Sequence, residues 1–100
     1  MIDIRITLDN LIFMIKFSLI DSSYQKEECY ELLTQLIEVK IDFLTKKISS
    51  NIERGIDTVH FEARQALLIE RRDQLYDMIF ETEDGMVKVD CDLEVGNVEL

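Results

Sequence analysis

The stretch LIFMIKFSLI, Leu11 to Ile20, can be laid out in two ways, and the choice between them sets the fold class. As a helix opened by Asp9, its apolar residues would surround the axis. As a strand it puts Leu11, Phe13, Ile15, Phe17 and Leu19 on one face, and its β-branched and aromatic enrichment favours that layout. Just before it, Ile2, Ile4, Ile6 and Leu8 alternate with Asp3, Arg5 and Thr7, the period-two signature of a half-buried strand. Asp9-Asn10 stands where a two-residue turn would join the two. The chain is therefore expected to begin with a β-hairpin.

Downstream the period changes to that of helices. Ser22 or Ser23 is placed to cap a long helix, with Gln25 in the capping-box position after Ser22 and Glu27 and Glu28 in the first turns. This helix should run to about Arg54 and end at Gly55. It carries two apolar stripes: Tyr30, Leu33, Ile37, Ile41, Leu44, Ile48 and Ile52 form one; Cys29, Leu32, Leu36, Val39 and Phe43 form the other. A helix with two stripes is covered on two sides. Asp57 or Thr58 should cap a second helix, with Phe61, Leu68, Leu75, Met78 and Ile79 on its main apolar face and an end near Glu83, before Gly85. From Met86 to Val95 alternation returns, with Val87, Val89, Cys91, Leu93 and Val95 expected inward. The predicted fold is α+β: an N-terminal β-hairpin, a long antiparallel helical hairpin and a C-terminal strand completing a small sheet (ββααβ), within a single domain spanning residues 1–100.

Length sharpens the meaning of the second stripe. A helix of some thirty residues is about 45 Å long, whereas a compact 100-residue globule has a radius of gyration near 13 Å. Unless Ser49-Ser50-Asn51 ends the helix early, part of the second stripe lacks a cover within the chain. A second copy is the simplest cover, and Leu32, Leu36, Val39 and Phe43 are its expected interface.

Composition excludes more than it selects. A hydrophobic content of 47% argues against disorder, and the longest apolar run is too short and interrupted to span a bilayer. A cytoplasmic location is expected, with Cys29 and Cys91 reduced. Thirteen isoleucines, two alanines and no proline suit an AT-rich coding sequence, as in some bacteria and phages. The net charge is −10, so direct attraction to nucleic acid or an anionic membrane is disfavoured and attraction to cationic proteins favoured.

Enzymatic constellations are hard to assemble. His60 is the lone histidine and has no nucleophile beside it in sequence. The two cysteines lie far apart and offer no zinc spacing. Asp90, Asp92 and Glu94 resemble the start of a calcium loop, but Val95 stands where that loop needs glycine. Gly55, Gly85 and Gly96 each sit at an expected boundary rather than in a phosphate loop. No enzyme, cofactor or metal is predicted.

What remains is the placement of acids. Between Asp73 and Leu100 nine acids face one base, Lys88, which accounts for −8 of the net charge. Asp73, Asp77 and Glu81 recur at intervals of four, where like charges repel, and Glu81, Glu83 and Asp84 crowd a helix C-terminus that favours cations. Folding the hairpin about Gly55 should bring Glu27, Glu28 and Glu31 near them and gather Lys46, Lys47, Arg54 and Arg64 at the tip. Asp90, Asp92 and Glu94 form an outward row on the last strand, spaced much as phosphates are along a nucleic-acid strand. These acids are the expected partner-binding residues, and the expected partner is a basic protein such as a nuclease or a DNA- or RNA-binding protein. The expected function is polyanion mimicry of the anti-defence or immunity type. For the strand row alone, an edge guarded by charge is the better explanation. A dimeric helical-hairpin adaptor or chaperone with an apolar client is the competing expectation.

Overall fold

From Ile12 onward the ambiguous stretch is a strand. The computed structural model describes residues 2–7, 12–81 and 85–96. Its elements are β1 (Ile2–Thr7), β2 (Ile12–Gln25), α1 (Lys26–Glu53), α2 (Val59–Phe80) and β3 (Met86–Gly96), the predicted ββααβ order. β2 is the central strand of a three-stranded sheet ordered β1-β2-β3. The β1–β2 register pairs Ile2 with Phe17 and Thr7 with Ile12, antiparallel throughout. It is centred between Asp9 and Asn10; the turn expected there lies outside the described residues. The chain divides into two compact units, Met1–Tyr24 with Lys88–Leu100 and Gln25–Val87, taken separately below.

In the sheet unit, alternation predicts only part of the burial. Ile15 and Phe17 are half-buried, but Leu19 is exposed and Ile20 is buried in its place. The inward parity changes between Phe17 and Ile20, where the Ser18 hydroxyl donates to the Ile20 carbonyl oxygen at 3.3 Å. Leu19 thus departs from its expected face. On β3, Val89 is buried and Val87 and Cys91 are half-buried as expected. Leu93 and Val95 instead are exposed, because alternation sets the side a residue faces without supplying a cover for it.

The helical unit opens later than the serines suggest. β2 continues through Ser22 and Ser23, which leaves Gln25 as the N-cap. The Glu28 carboxylate accepts the Gln25 N–H at 3.4 Å, closing a capping box shifted along the chain. At the other end α1 runs straight through Ser49-Ser50-Asn51. It stops in a Schellman motif: Gly55 N–H donates to Ile52 O at 3.1 Å and Ile56 N–H to Asn51 O at 2.8 Å. Gly55 takes the required positive φ of 70°. Thr58 is the N-cap of α2, yet the Asp57 carboxylate accepts the exposed Val59 N–H at 3.0 Å. α2 ends at Phe80 with Glu81 as C-cap, three residues short of Glu83, which lies outside the described residues with Asp84.

Between the helices lies one apolar seam. Ile41, Leu44 and Ile48 of α1 are buried, with Leu68 and Leu75 half-buried and Ile79 buried on α2. Facing residues have numbers adding to about 108, close to the expected fold about Gly55. Near the open end Tyr30 meets Tyr76 edge-on at 5.5 Å, and Tyr76 stacks on Phe80 at 4.4 Å. Midway the Gln65 amide donates to the Thr45 hydroxyl, and Arg72 lies 3.6 Å from Glu38. Toward the tip Lys47 sits over the Phe61 ring at 4.9 Å. Ile52, expected in the first stripe, is exposed, and Asn51 holds the buried place beside the turn.

Two stability changes follow from these local facts. A Cβ at Gly55 would meet no atom within 4 Å, so Gly55→Ala pays only for its backbone angle, about 1 kcal/mol in urea unfolding. Among the described residues the buried Thr34 hydroxyl has no hydrogen-bond partner. Thr34→Val should therefore raise stability by about 1 kcal/mol, and a lower urea midpoint would mean that the hydroxyl is satisfied in solution.

Candidate functional site

Charge on the helical hairpin is sorted across its axis. At 3.6 residues per turn, Glu27, Glu31, Glu38, Asp42 and Glu53 fall in one sector of α1, centred roughly 130° past the line to α2. On α2 and its cap, Glu62, Glu70, Asp73, Asp77 and Glu81 fall roughly 130° past the line to α1, in the same rotational sense. Because the helices run antiparallel, equal rotations from the seam lead to the same flank. All ten carboxylates are exposed there, with Ile52 and Val59 as apolar exceptions near the tip.

Among the described residues the opposite flank carries no acid except Glu28, at its outer margin on α1. It holds Lys40 and Lys47 of α1 and Arg64 and Arg71 of α2, all exposed, with the exposed His60 beside them. It also holds the second apolar stripe. Cys29 is buried and Leu32 half-buried, but exposure rises to 69% at Val39 and 56% at Phe43. Leu67 and Met78 of α2, at 49% and 60%, stand on the same flank. Lys40 covers part of the Phe43 ring, its Nζ 5.2 Å from the centroid.

This differs from the separation expected between base and tip. Glu53 and Glu62 are acids at the tip, and Arg71 is a base well down the shaft, so the division runs from flank to flank. Of the expected partner-binding residues, Glu27, Glu31, Asp73, Asp77 and Glu81 share the acidic flank. Glu28 lies on the outer edge of α1, opposite the seam, with Lys46 at the same angle. Glu38, Asp42, Glu53, Glu62 and Glu70 were not anticipated. Applying the helical period to charges as well as to apolar residues would have found them.

Compensation differs between the units. On the sheet, Lys88 pairs with Asp21 and lies 3.4 Å from Asp90, while Lys16 lies 3.9 Å from Glu94. Of the row Asp90, Asp92 and Glu94, the first and last thus have a lysine beside them. On the acidic flank of the hairpin, Arg72 reaches across to Glu38 at 3.6 Å and pairs with its neighbour Asp73 at 3.4 Å. Repulsion between acids four apart, each pair costing about 0.2–0.5 kcal/mol, is left largely unrelieved there.

Other chemistry is sparse. Among the described residues no group of three or more histidines, cysteines or acids could hold a metal ion, and no helix is long and apolar enough to cross a membrane. Both cysteines are free thiols, and burial pushes the Cys29 thiol above its ordinary value, which disfavours the nucleophilic thiolate. Phe61 packs edge-on to exposed His60 at 5.6 Å. In comparisons with known proteins the chain matches no family model, no curated protein and no solved structure.

The Lys88 ammonium holds the Asp21 carboxyl below its ordinary value, chiefly through their hydrogen bond, and Lys88 is raised in return. Asp21 therefore adds stability above the unfolded carboxylate range, about pH 4, and loses it as pH falls through the lower folded value. Lys88 adds stability below the unfolded lysine range, about pH 10, and loses it as pH rises through the higher folded value. Both groups are exposed, so the effect is small and screened by salt. Lys88→Met should flatten the acid limb of the stability profile in low salt; an unchanged limb would show that the pair contributes nothing in solution.

Proposed function

We propose that this is a non-enzymatic acidic binding protein that occupies a basic groove of a nucleic-acid-handling protein and blocks it, as anti-defence and toxin-immunity proteins do. One observation carries the proposal: two helices place all ten carboxylates of their shared flank together, along about 40 Å, where the ion pairs among the described residues are those of Arg72 with Glu38 and Asp73. Solubility requires charge but not this segregation. Mixed signs at intervals of four would solubilise a helix while stabilising it. The strand acids are secondary in this proposal, because Asp90 and Glu94 already have lysines beside them.

The inhibitor proposal predicts a basic nuclease or DNA-binding protein captured from bacterial lysate at low salt, lost at high salt and inhibited in its own assay. Replacing Glu38, Asp42, Asp73 and Asp77 together by their amides should weaken that complex at least tenfold. Unchanged affinity, with the fold intact by circular dichroism, would reject the acidic flank as the binding surface.

A second proposal is favoured by a different observation, the exposed row of Leu36, Val39 and Phe43 on the other flank. It is a helical-hairpin adaptor whose apolar flank takes a client or a second copy. Binding of this kind resists salt and fails when Leu36 and Phe43 become polar.

A further inference from the structure

The apolar flank is chemically unlike the rest of the chain, and that difference indicates what covers it. The chain carries a net charge of −10, yet among the described residues of the hairpin this flank has one acid, Glu28, at its outer margin. Lys40 and Lys47 rise from α1, and Arg64 and Arg71 from α2, on the side of the apolar rows nearer the seam. By the hairpin register they lie within about 15 Å of one another along the axis. Outside them run two apolar rows, Leu36, Val39 and Phe43 on α1 and Leu67 and Met78 on α2. No carboxylate within the described residues is paired with any of the four cations; their recorded neighbours are the Phe43 and Phe61 rings and the Gln74 amide.

We infer that this flank is a docking groove for an acidic amphipathic helix of a partner protein, with carboxylates along its midline and apolar residues on either side. This inference deepens the adaptor proposal and is independent of the inhibitor proposal, which uses the opposite flank.

Charge and spacing agree on this occupant. The exposed part of the flank, from Met78 to Lys47 by the hairpin register, is about 25 Å long and two helix widths across, roughly 500 Å², the size of a weak, transient contact rather than of a standard interface. Leu36, Val39 and Phe43, at steps of three and four, present the ridge that a helix laid in a groove engages. Carboxylates on the occupant would meet four cations that lack an acidic partner, while its apolar residues covered the two rows. A second copy fits less well. Packed flank to flank, it would bring the same four cations of each copy together with no acid between them. Nucleic acid would satisfy the cations but leave the apolar rows in water.

The test uses the full chain and two labelled helical peptides of about 18 residues, followed by fluorescence anisotropy. One carries a line of glutamates bracketed by leucines, and the other has lysines in place of the glutamates. The glutamate peptide should bind at least tenfold more tightly. That preference should vanish with Arg64→Gln and Arg71→Gln together, and affinity should fall at least tenfold with Val39→Ser and Phe43→Ser. These side chains are exposed, so the variants are expected to fold, with circular dichroism as the check. Amides at Glu38 and Asp42 should leave peptide affinity unchanged or higher, which separates this groove from the acidic flank. Equal affinity for both peptides, or loss of binding on neutralising the acidic flank, would overturn the inference. So would a dimer in sedimentation that Phe43→Ser dissolves. Tighter binding to oligodeoxythymidylate or phosphatidylglycerol vesicles through Arg64 and Arg71 would likewise assign the groove to another occupant.

Discussion

The seam between α1 and α2 is the constraint on which the surface of the helical unit depends. Ile41, Leu44 and Ile48 are buried together with Ile79, and the positive φ at Gly55 reverses the chain so that the helices meet antiparallel. Once that seam fixes the rotation of each helix, every other position has a determined side. The sorting of charge is thus a consequence of packing: a rotation of either helix by one residue would move acids toward the seam and break the core at once. Polar contacts reinforce the same rotation, with Thr45 and Gln65 joined midway and Tyr30 against Tyr76 near the open end.

Much of the architecture was legible because each element repeats a simple period over enough residues. Alternation from Ile2 marked β1, β-branched and aromatic residues marked β2, and Gly55 marked the reversal. The failures were local or geometric. The serines looked like caps, but strand pairing through Ser22 and Ser23 outweighed their capping preference. Leu19 followed the strand period on paper, and the change of parity before Ile20 could not be seen without coordinates.

The sorting of charge on the hairpin was harder to see for a different reason. Counting acids along the chain emphasised the C-terminal third and suggested a division from base to tip. The relevant coordinate was the angle about each helix, combined with the antiparallel sense of the pair. Glu38, Asp42, Glu62 and Glu70 are unremarked in a linear count and central in an angular one. The apolar stripe from Leu32 to Phe43 was legible, whereas the scarcity of acids around it emerged only when α2 was set beside α1.

Sorting charge onto opposite flanks gives the hairpin an electric dipole directed across its short dimension. The flanks are separated by about one helix diameter, 10–12 Å, and the Debye length at physiological ionic strength is about 8 Å. Under those conditions an approaching molecule senses one flank at a time, so the net charge of −10 is a poor guide to what this chain attracts. In dilute buffer the fields overlap and the larger negative sum dominates at a distance. The hairpin therefore has two electrostatic identities, and ionic strength decides whether a visitor meets the flanks separately or only their sum.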